Sequence, residues 1–425
     1  MTVPVEGPPV RITRLPNGLT VATEVMAVAT ATMGLWVGAG SRHERPDEHG
    51  LSHFIEHMAF KGTERRTPRD IAEDIENVGG EINAATATEH TSYTARVLAE
   101  NADVALDVLG DILTRSVFDE TELAREKGVI LQEHAAVEDT PDDWVSDAFT
   151  ETAFSGQPIG RPILGRPETV RSFTADAIRA FMSREYVPDR MVFAVAGPLE
   201  HEAVVEAVSR HFGDLVPAEP PLAEPGRYIG GERRLPRRLE QANVMLGLPG
   251  LSFRDDGFYA LHLFAHLLGG GLTSRLWHEV RERRGLAYEV DAFHWPFSDC
   301  GLFGIGAGTA GKDLPEFVAV AGACARAAAA EADAVEVRRA KAQLKVALLA
   351  SLETPGGRIE RTARQLLAFG RVLAGEEIAD KVDAVTVDEV RAAGAAALRG
   401  APTLAAVGPI RKLPPLDDVA MRLAA

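Results

Sequence analysis

Two histidines and a glutamate in the stretch Gly50–Thr63 have the types and spacing to do chemistry. The segment reads Gly-Leu-Ser-His-Phe-Ile-Glu-His-Met-Ala-Phe-Lys-Gly-Thr. On a helix, at roughly 100° per residue, His53, Glu56 and His57 fall within one arc of about 100°. Imidazoles at i and i+4 can converge on one metal ion, and zinc takes neutral imidazole nitrogen readily. A carboxylate one position before the second histidine sits beside that ion, where it can take a proton from a bound water.

Such a centre needs a third protein ligand. Asp119–His134 is patterned as a helix with an acidic first turn, and it carries Glu126 and Glu133. Seven residues apart, they share a face but lie about 10 Å from one another. Both cannot ligate one ion. One is a ligand and the other supports the site from behind, and spacing alone leaves the choice open.

The order His-x-x-Glu-His reverses His-Glu-x-x-His and is the inverzincin signature. With Gly79-Gly-Glu-Ile-Asn-Ala84 and Arg125-Glu126-x6-Glu133, it resembles the pitrilysin (M16) metallopeptidases, and among them the bacterial relatives of the mitochondrial processing peptidase beta subunit. The resemblance runs over about residues 10–410. It implies a Zn2+ cofactor held by His53, His57 and Glu133, with Glu126 supporting them. It implies an α+β fold of two duplicated α/β-sandwich-like domains of the LuxS/M16 metalloenzyme type, joined by a linker and clam-shaped. It also implies that substrate adds as an extra strand along the edge strand holding Asn83 and Ala84, a mode in which main-chain hydrogen bonds give affinity with little sequence choice. Within Ser274–Tyr288, composition alone describes a solvated basic helix end. The resemblance singles out Arg281 and Tyr288 there as the pair that binds the substrate carbonyl. Relatives of this kind work as dimers, so a homodimer is expected.

Composition sets the outer limits. The 425 residues are 46% hydrophobic and 25% charged, which suits a globular chain of two domains. A net charge of −17 and the lack of a basic stripe argue against nucleic-acid binding. Cys300 and Cys324 make no CxxC and no disulfide framework. Met1–Val10 has neither the basic and apolar regions of a secretory signal nor the Arg/Ser-rich pattern of a presequence, and no run reaches the length of a membrane span. The expectation is a cytoplasmic protein without membrane partners.

The elements that must position these residues read as follows. Two strands flank an Asn17-Gly18 turn, and a third, largely buried, begins at Thr30. A helix capped by Thr67 with Pro68 at its first position ends at Gly79-Gly80, before the strand pair that carries Asn83 and Ala84. Further helices are expected over 101–114, 141–154, 174–184 and 200–212, with a strand at Met191–Gly197. The Pro-rich stretch 216–232 reads as a linker between domains 1–215 and 233–425. The second half repeats the first: a strand at Gln241, a helix from Gly257, a strand pair, helices and a closing strand at Thr403–Gly408.

Other histidines and glycines read as structural. His43 and His49 lie in a polar loop and are expected on the surface. His262 and His266 share the i, i+4 spacing, but Ala265 stands where the base would be. Gly269-Gly270-Gly271 resembles the glycine-rich loop of the processing peptidase alpha subunit but is much shorter, and no P-loop Lys-Ser/Thr follows it. The expected activity is that of a zinc endopeptidase acting on peptides or unfolded polypeptide segments, with Glu56 as the base. The rival from another class is a non-catalytic structural subunit, like the core proteins of respiratory complex III. Those have lost motif residues that this chain keeps.

Overall fold

The computed structural model describes residues 10–424; the reading of Met1–Pro9 lies outside them. The chain begins with β1 (Arg11–Arg14), β2 (Thr20–Val25), β3 (Thr30–Val37), α1 (Leu51–Met58), α2 (Pro68–Glu76), β4 (Glu81–Thr86) and β5 (Thr91–Leu98). Next come α3 (Ala102–Thr114), α4 (Glu120–Asp139), α5 (Pro141–Ala153), α6 (Pro167–Ser172), α7 (Ala175–Glu185), β6 (Met191–Gly197) and α8 (His201–Phe212). After Val216–Gly230, which has no regular structure, follow β7 (Gly231–Pro236), β8 (Ala242–Gly250), α9 (Phe258–Gly269), a π-helical turn at Trp277–Glu282, β9 (Ala287–Pro296) and β10 (Gly301–Thr309). The chain closes with α10 (Leu314–Glu331), α11 (Ala334–Ser351), α12 (Pro355–Phe369), α13 (Gly375–Ala384), α14 (Val387–Ala397), β11 (Thr403–Gly408) and α15 (Leu416–Leu423).

Local chemistry explains several boundaries. Gly18 takes φ +101, which a Cβ would disfavour, and closes the β1–β2 hairpin in the register Arg14↔Thr20. Thr67 accepts the Asp70 N–H while Asp70 accepts the Thr67 N–H, a reciprocal cap that starts α2 at Pro68.

The chain forms two compact units that interleave along the sequence: residues 1–134, 162–224 and 348–376 make one, and 135–161, 225–347 and 377–425 the other. The first is built on a six-stranded sheet of order β1-β2-β6-β3-β5-β4, the second on a five-stranded sheet of order β7-β11-β8-β10-β9. In each, one pair near the same end is parallel, β2 with β6 and β7 with β11, and the remaining pairs are antiparallel. The shared strand order is the duplication seen in the sequence, now expressed as topology.

Each sheet is covered on both faces. In the first unit Val21, Met33, Leu35, Tyr93 and Phe193 pack with Phe54, Leu109, Phe181 and Phe212 of the helices. The other face, with Ala22, Trp36, Val192 and Ala194, meets Ile359, Ala363 and Leu366 of α12. In the second unit Val244, Leu246 and Ile305 pack with Phe264, Phe317 and Val390. Its other face, with Met245, Leu302 and Val407, meets Trp144, Val145 and Phe149 of α5. Thus α5, from the first half of the chain, covers the second sheet, and α12, from the second half, covers the first.

Candidate metal centre

The start of α1 is fixed by two devices. Gly50 takes φ +95, and a Cβ there would lie 2.7 Å from the Gly165 Cα, so two glycine backbones cross at the helix entry. The Glu44 carboxylate, only 3% exposed, accepts the N–H groups of Gly50 at 2.8 Å and Ser52 at 2.7 Å. It satisfies free N-terminal donors and places negative charge at the positive end of the helix dipole. Leu51, Phe54, Ile55 and Met58 face the core. The arc left over presents His53, Glu56 and His57, each half-buried.

Glu133 of α4 meets this arc. Its Oε2 lies 3.8 Å from His53 Nε2 and 3.7 Å from His57 Nε2. One ligand atom from each of the three residues lies within 4.8 Å of the others, and no other set of three or more histidines, cysteines or acids converges in this way among the described residues. The separations exceed hydrogen-bond length and are close to the roughly 3.4 Å expected between ligand atoms about 2.1 Å from a tetrahedral ion. Burial, reinforced by the neighbouring His57, pushes the His53 imidazole down to about 4, so it is neutral at pH 7 and its nitrogens can bind a cation. Two buried atoms at the site, His53 Nδ1 and Glu56 Oε2, have no hydrogen-bond partner. Two imidazoles and a carboxylate are a donor set that zinc accepts, and the spacing fits one ion.

Glu126 turns to the other side of His57. Its Oε2 lies 3.0 Å from His57 Nδ1, and its Oε1 pairs with Lys61 Nζ at 2.6 Å. With Nδ1 engaged by the carboxylate, His57 presents Nε2 to the gap shared with Glu133. Lys61 is a member of the site that the sequence reading passed over. It lies three residues beyond the end of α1 and reaches the site through Glu126 of α4, a contact that no spacing around His57 contains. Glu44 was also missed, because its bonds to residues six and eight positions on follow from the fold of the loop.

Residues 41–49 are not a solvated loop. They fold into two short 3-10 turns in which His49 is buried, its Nε2 at 2.8 Å from the Pro162 carbonyl oxygen. His43 Nδ1 accepts the Gly40 N–H, and burial pushes that ring down to about 3. The expectation of surface histidines fails because polar residues here turn inward: Arg42 pairs with Glu89, and Glu44 accepts backbone N–H groups of α1 and its entry.

Asn83 and Ala84 lie on β4, the outermost strand of the first sheet, and the Ala84 N–H donates to Asn83 Oδ1. In the second unit, Arg281 lies in the π-helical turn and Tyr288 near the start of β9, 75% exposed. The Arg281 guanidinium carbon stands 4.7 Å from the Tyr288 ring centre. On α9, His266 Nε2 is bonded to Gln343 Oε1 at 2.9 Å, and Phe258 stacks on His262. A Cβ on Gly269 would come within 2.1 Å of the Ala292 nitrogen, so that glycine lets α9 close against β9.

Comparison with known proteins agrees in extent with these observations. Residues 20–167 match the family described as insulinase (peptidase family M16), and residues 172–344 match the peptidase M16 inactive domain. An uncharacterized zinc protease of Streptomyces coelicolor is 39% identical over 95% of this chain and 90% of its own length. A probable mitochondrial-processing peptidase subunit beta of Arabidopsis thaliana is 37% identical over 96% of this chain and 80% of its own length. Two solved structures share the fold. One is a protease from Helicobacter pylori, with 20% identity, TM-score 0.86, and 95% of this chain and all of the other covered. The second is a chain of complex III2 from Candida albicans with Inz-5 bound, with 24% identity, TM-score 0.88, and coverage of 98% and 100%. The two sheets of like topology, the convergent His53, His57 and Glu133, and zinc proteases aligned along nearly the whole length lead to one conclusion: this chain belongs to peptidase family M16.

Proposed function

We propose that the chain is a zinc-dependent endopeptidase that hydrolyses peptide bonds in oligopeptides or unfolded polypeptide segments, bound as an added strand in a chamber. The observation that carries this reading is the meeting of His53, His57 and Glu133 beside a Glu56 carboxylate whose buried oxygen has no partner. His53, His57 and Glu133 would hold the zinc, and Glu126, bridging Lys61 and His57, would fix the second imidazole. Zinc bound there would supply Lewis acidity toward a water and a substrate carbonyl. Glu56 takes a proton from the attacking water and passes it to the leaving amine. The role given to Arg281 and Tyr288 is to donate to the substrate carbonyl as it gains charge.

Asn83 and Ala84 would receive the substrate main chain. The free side of β4 offers an open row of backbone groups, and an incoming strand exchanges the Asn83 Oδ1 contact at the Ala84 N–H for its own carbonyl. In this reading residues 1–215 carry the zinc and the base, 216–232 act as linker, and 233–425 supply the Arg/Tyr pair. The protein works as a cytoplasmic homodimer. No helix among the described residues is long and apolar enough to cross a membrane. A structural subunit of the same fold is the competing reading; the likeness to a complex III chain is one of fold alone. Metal analysis paired with peptide cleavage, with and without a chelator, separates the two. One zinc per chain and chelator-sensitive cleavage support the enzyme; bound zinc without cleavage supports the structural subunit.

A further inference from the structure

Four arginines occupy Ser274–Tyr288, and the structure treats one of them differently. Arg275 is held by Glu336 through two bonds of 2.7 Å, and Arg283 and Arg284 pair with Glu279. Among the described residues, the one carboxylate within 4.0 Å of Arg281 is that of Glu282, 3.8 Å from Nε and beyond hydrogen-bond reach. Arg281 is held by aromatic faces instead. Its guanidinium carbon lies 4.0 Å from the Trp277 ring centre and 4.7 Å from that of Tyr288.

The backbone builds this arrangement. Trp277–Glu282 is a π-helical turn, with the Arg283 N–H donating to the His278 carbonyl five residues back at 2.9 Å. Trp277 and Arg281, four apart and so on one face of this turn, stack there. Gly285, at φ +62, then reverses the chain so that β9 begins at Ala287 and its second residue, Tyr288, lies against the guanidinium. A carboxylate partner consumes the N–H donors of an arginine, whereas stacked rings cover its faces and leave the donor edge available.

We propose that Trp277 is a positioning residue for Arg281: its indole face fixes the plane of the guanidinium so that the N–H edge is presented to a substrate oxygen. That this oxygen is a peptide carbonyl rests on the functional reading above. Trp277 itself touches no reacting atom; it acts through Arg281.

The test uses the zinc-loaded chain of 425 residues in two arms. In the first, the Arg281 Nε–Hε resonance of 15N-arginine-labelled protein, identified by its loss in Arg281→Lys, is expected at a ring-current-shifted position. It moves part of the way toward the ordinary arginine position in Trp277→Leu, where the Tyr288 ring remains, and stays near its parent position in Trp277→Phe. In the second arm, Trp277→Leu lowers kcat for an unstructured peptide about three- to tenfold, the range a stacked cation–aromatic contact commands, and changes KM by less than about twofold. Trp277→Phe recovers most of the loss, and Trp277→Leu added to Arg281→Ala brings no further loss. A resonance that Trp277→Leu leaves unmoved, or losses that multiply in the double variant, overturns the proposal. If Trp277→Leu does not fold, Trp277→Met carries the same comparisons. A parent without chelator-sensitive cleavage overturns the peptidase reading instead, and the resonance then decides the positioning claim alone.

Discussion

The Glu126 carboxylate meets His57 Nδ1 at 3.0 Å while Glu133, two turns further along α4, approaches Nε2 of the same ring at 3.7 Å. One helix therefore turns a separate carboxylate toward each nitrogen of one imidazole, bonding Nδ1 and standing off Nε2. The two acids are not interchangeable, because each faces a different edge of the ring.

Replacing Glu126 with Gln should weaken zinc binding by about 10- to 100-fold, the usual cost of losing a partner that orients a ligand histidine. Lys61 also loses its anionic partner. Competition with a chromophoric chelator measures the affinity, and an unchanged value would show that His57 needs no such support.

Glu56→Gln should retain one zinc per chain and lose turnover by about 10²- to 10⁴-fold, since an amide cannot accept the proton. Equal peptide cleavage by mutant and parent would sink the assignment of Glu56 as base. Loss of zinc would instead make it a ligand.

The pair on α9 gives a control. Changing His262 and His266 together to Asn should leave zinc at one per chain, because His266 is already engaged by Gln343. A fall in metal content, measured by elemental analysis, contradicts this.

Stability should decline as pH falls from about 6.5 toward 5 in the presence of chelator. Burial pushes His43 down to about 3, His90 to about 4 and His294 to about 4. Above pH 6.5 these rings are neutral in both states. Below it the unfolded chain takes up protons that the folded chain refuses, so each ring contributes up to about 2 kcal/mol of loss by pH 5. Asp147, raised by burial to about 6, offsets part of this, because its carboxyl is protonated first in the folded state. Urea midpoints at pH 7 and pH 5 decide the matter; a midpoint equal or higher at pH 5 runs against it.

How much of this was legible in the sequence depended on the range of the interaction. The arc of His53, Glu56 and His57 needs only the helical repeat, and the cap at Thr67 needs only three neighbours. The choice between Glu126 and Glu133 depends on where α4 lies against α1, which no spacing within α4 contains. The fate of His43 and His49 turned on whether polar residues faced water or the backbone, and composition reads alike for both. The same limit applies to the arginines of 274–288. Only the fold distinguishes Arg281, held by rings, from neighbours held by carboxylates. The sequence likewise indicated a helix at 141–154, and unplaced helices after the second strand pair, without naming the sheet that α5 or α12 covers.

The crossing of those two helices has a consequence for how the chain can be divided. A cut in the unstructured stretch Val216–Gly230 would leave Trp36 and Val192 without the α12 side chains that cover them, and Met245 and Leu302 without those of α5. Each fragment would carry the lid that the other lacks. Made alone, each is expected to precipitate with a bare apolar sheet face; made together in one cell, they are expected to rescue one another. Neither half of the chain, taken up to that cut, is expected to stand as a protein by itself.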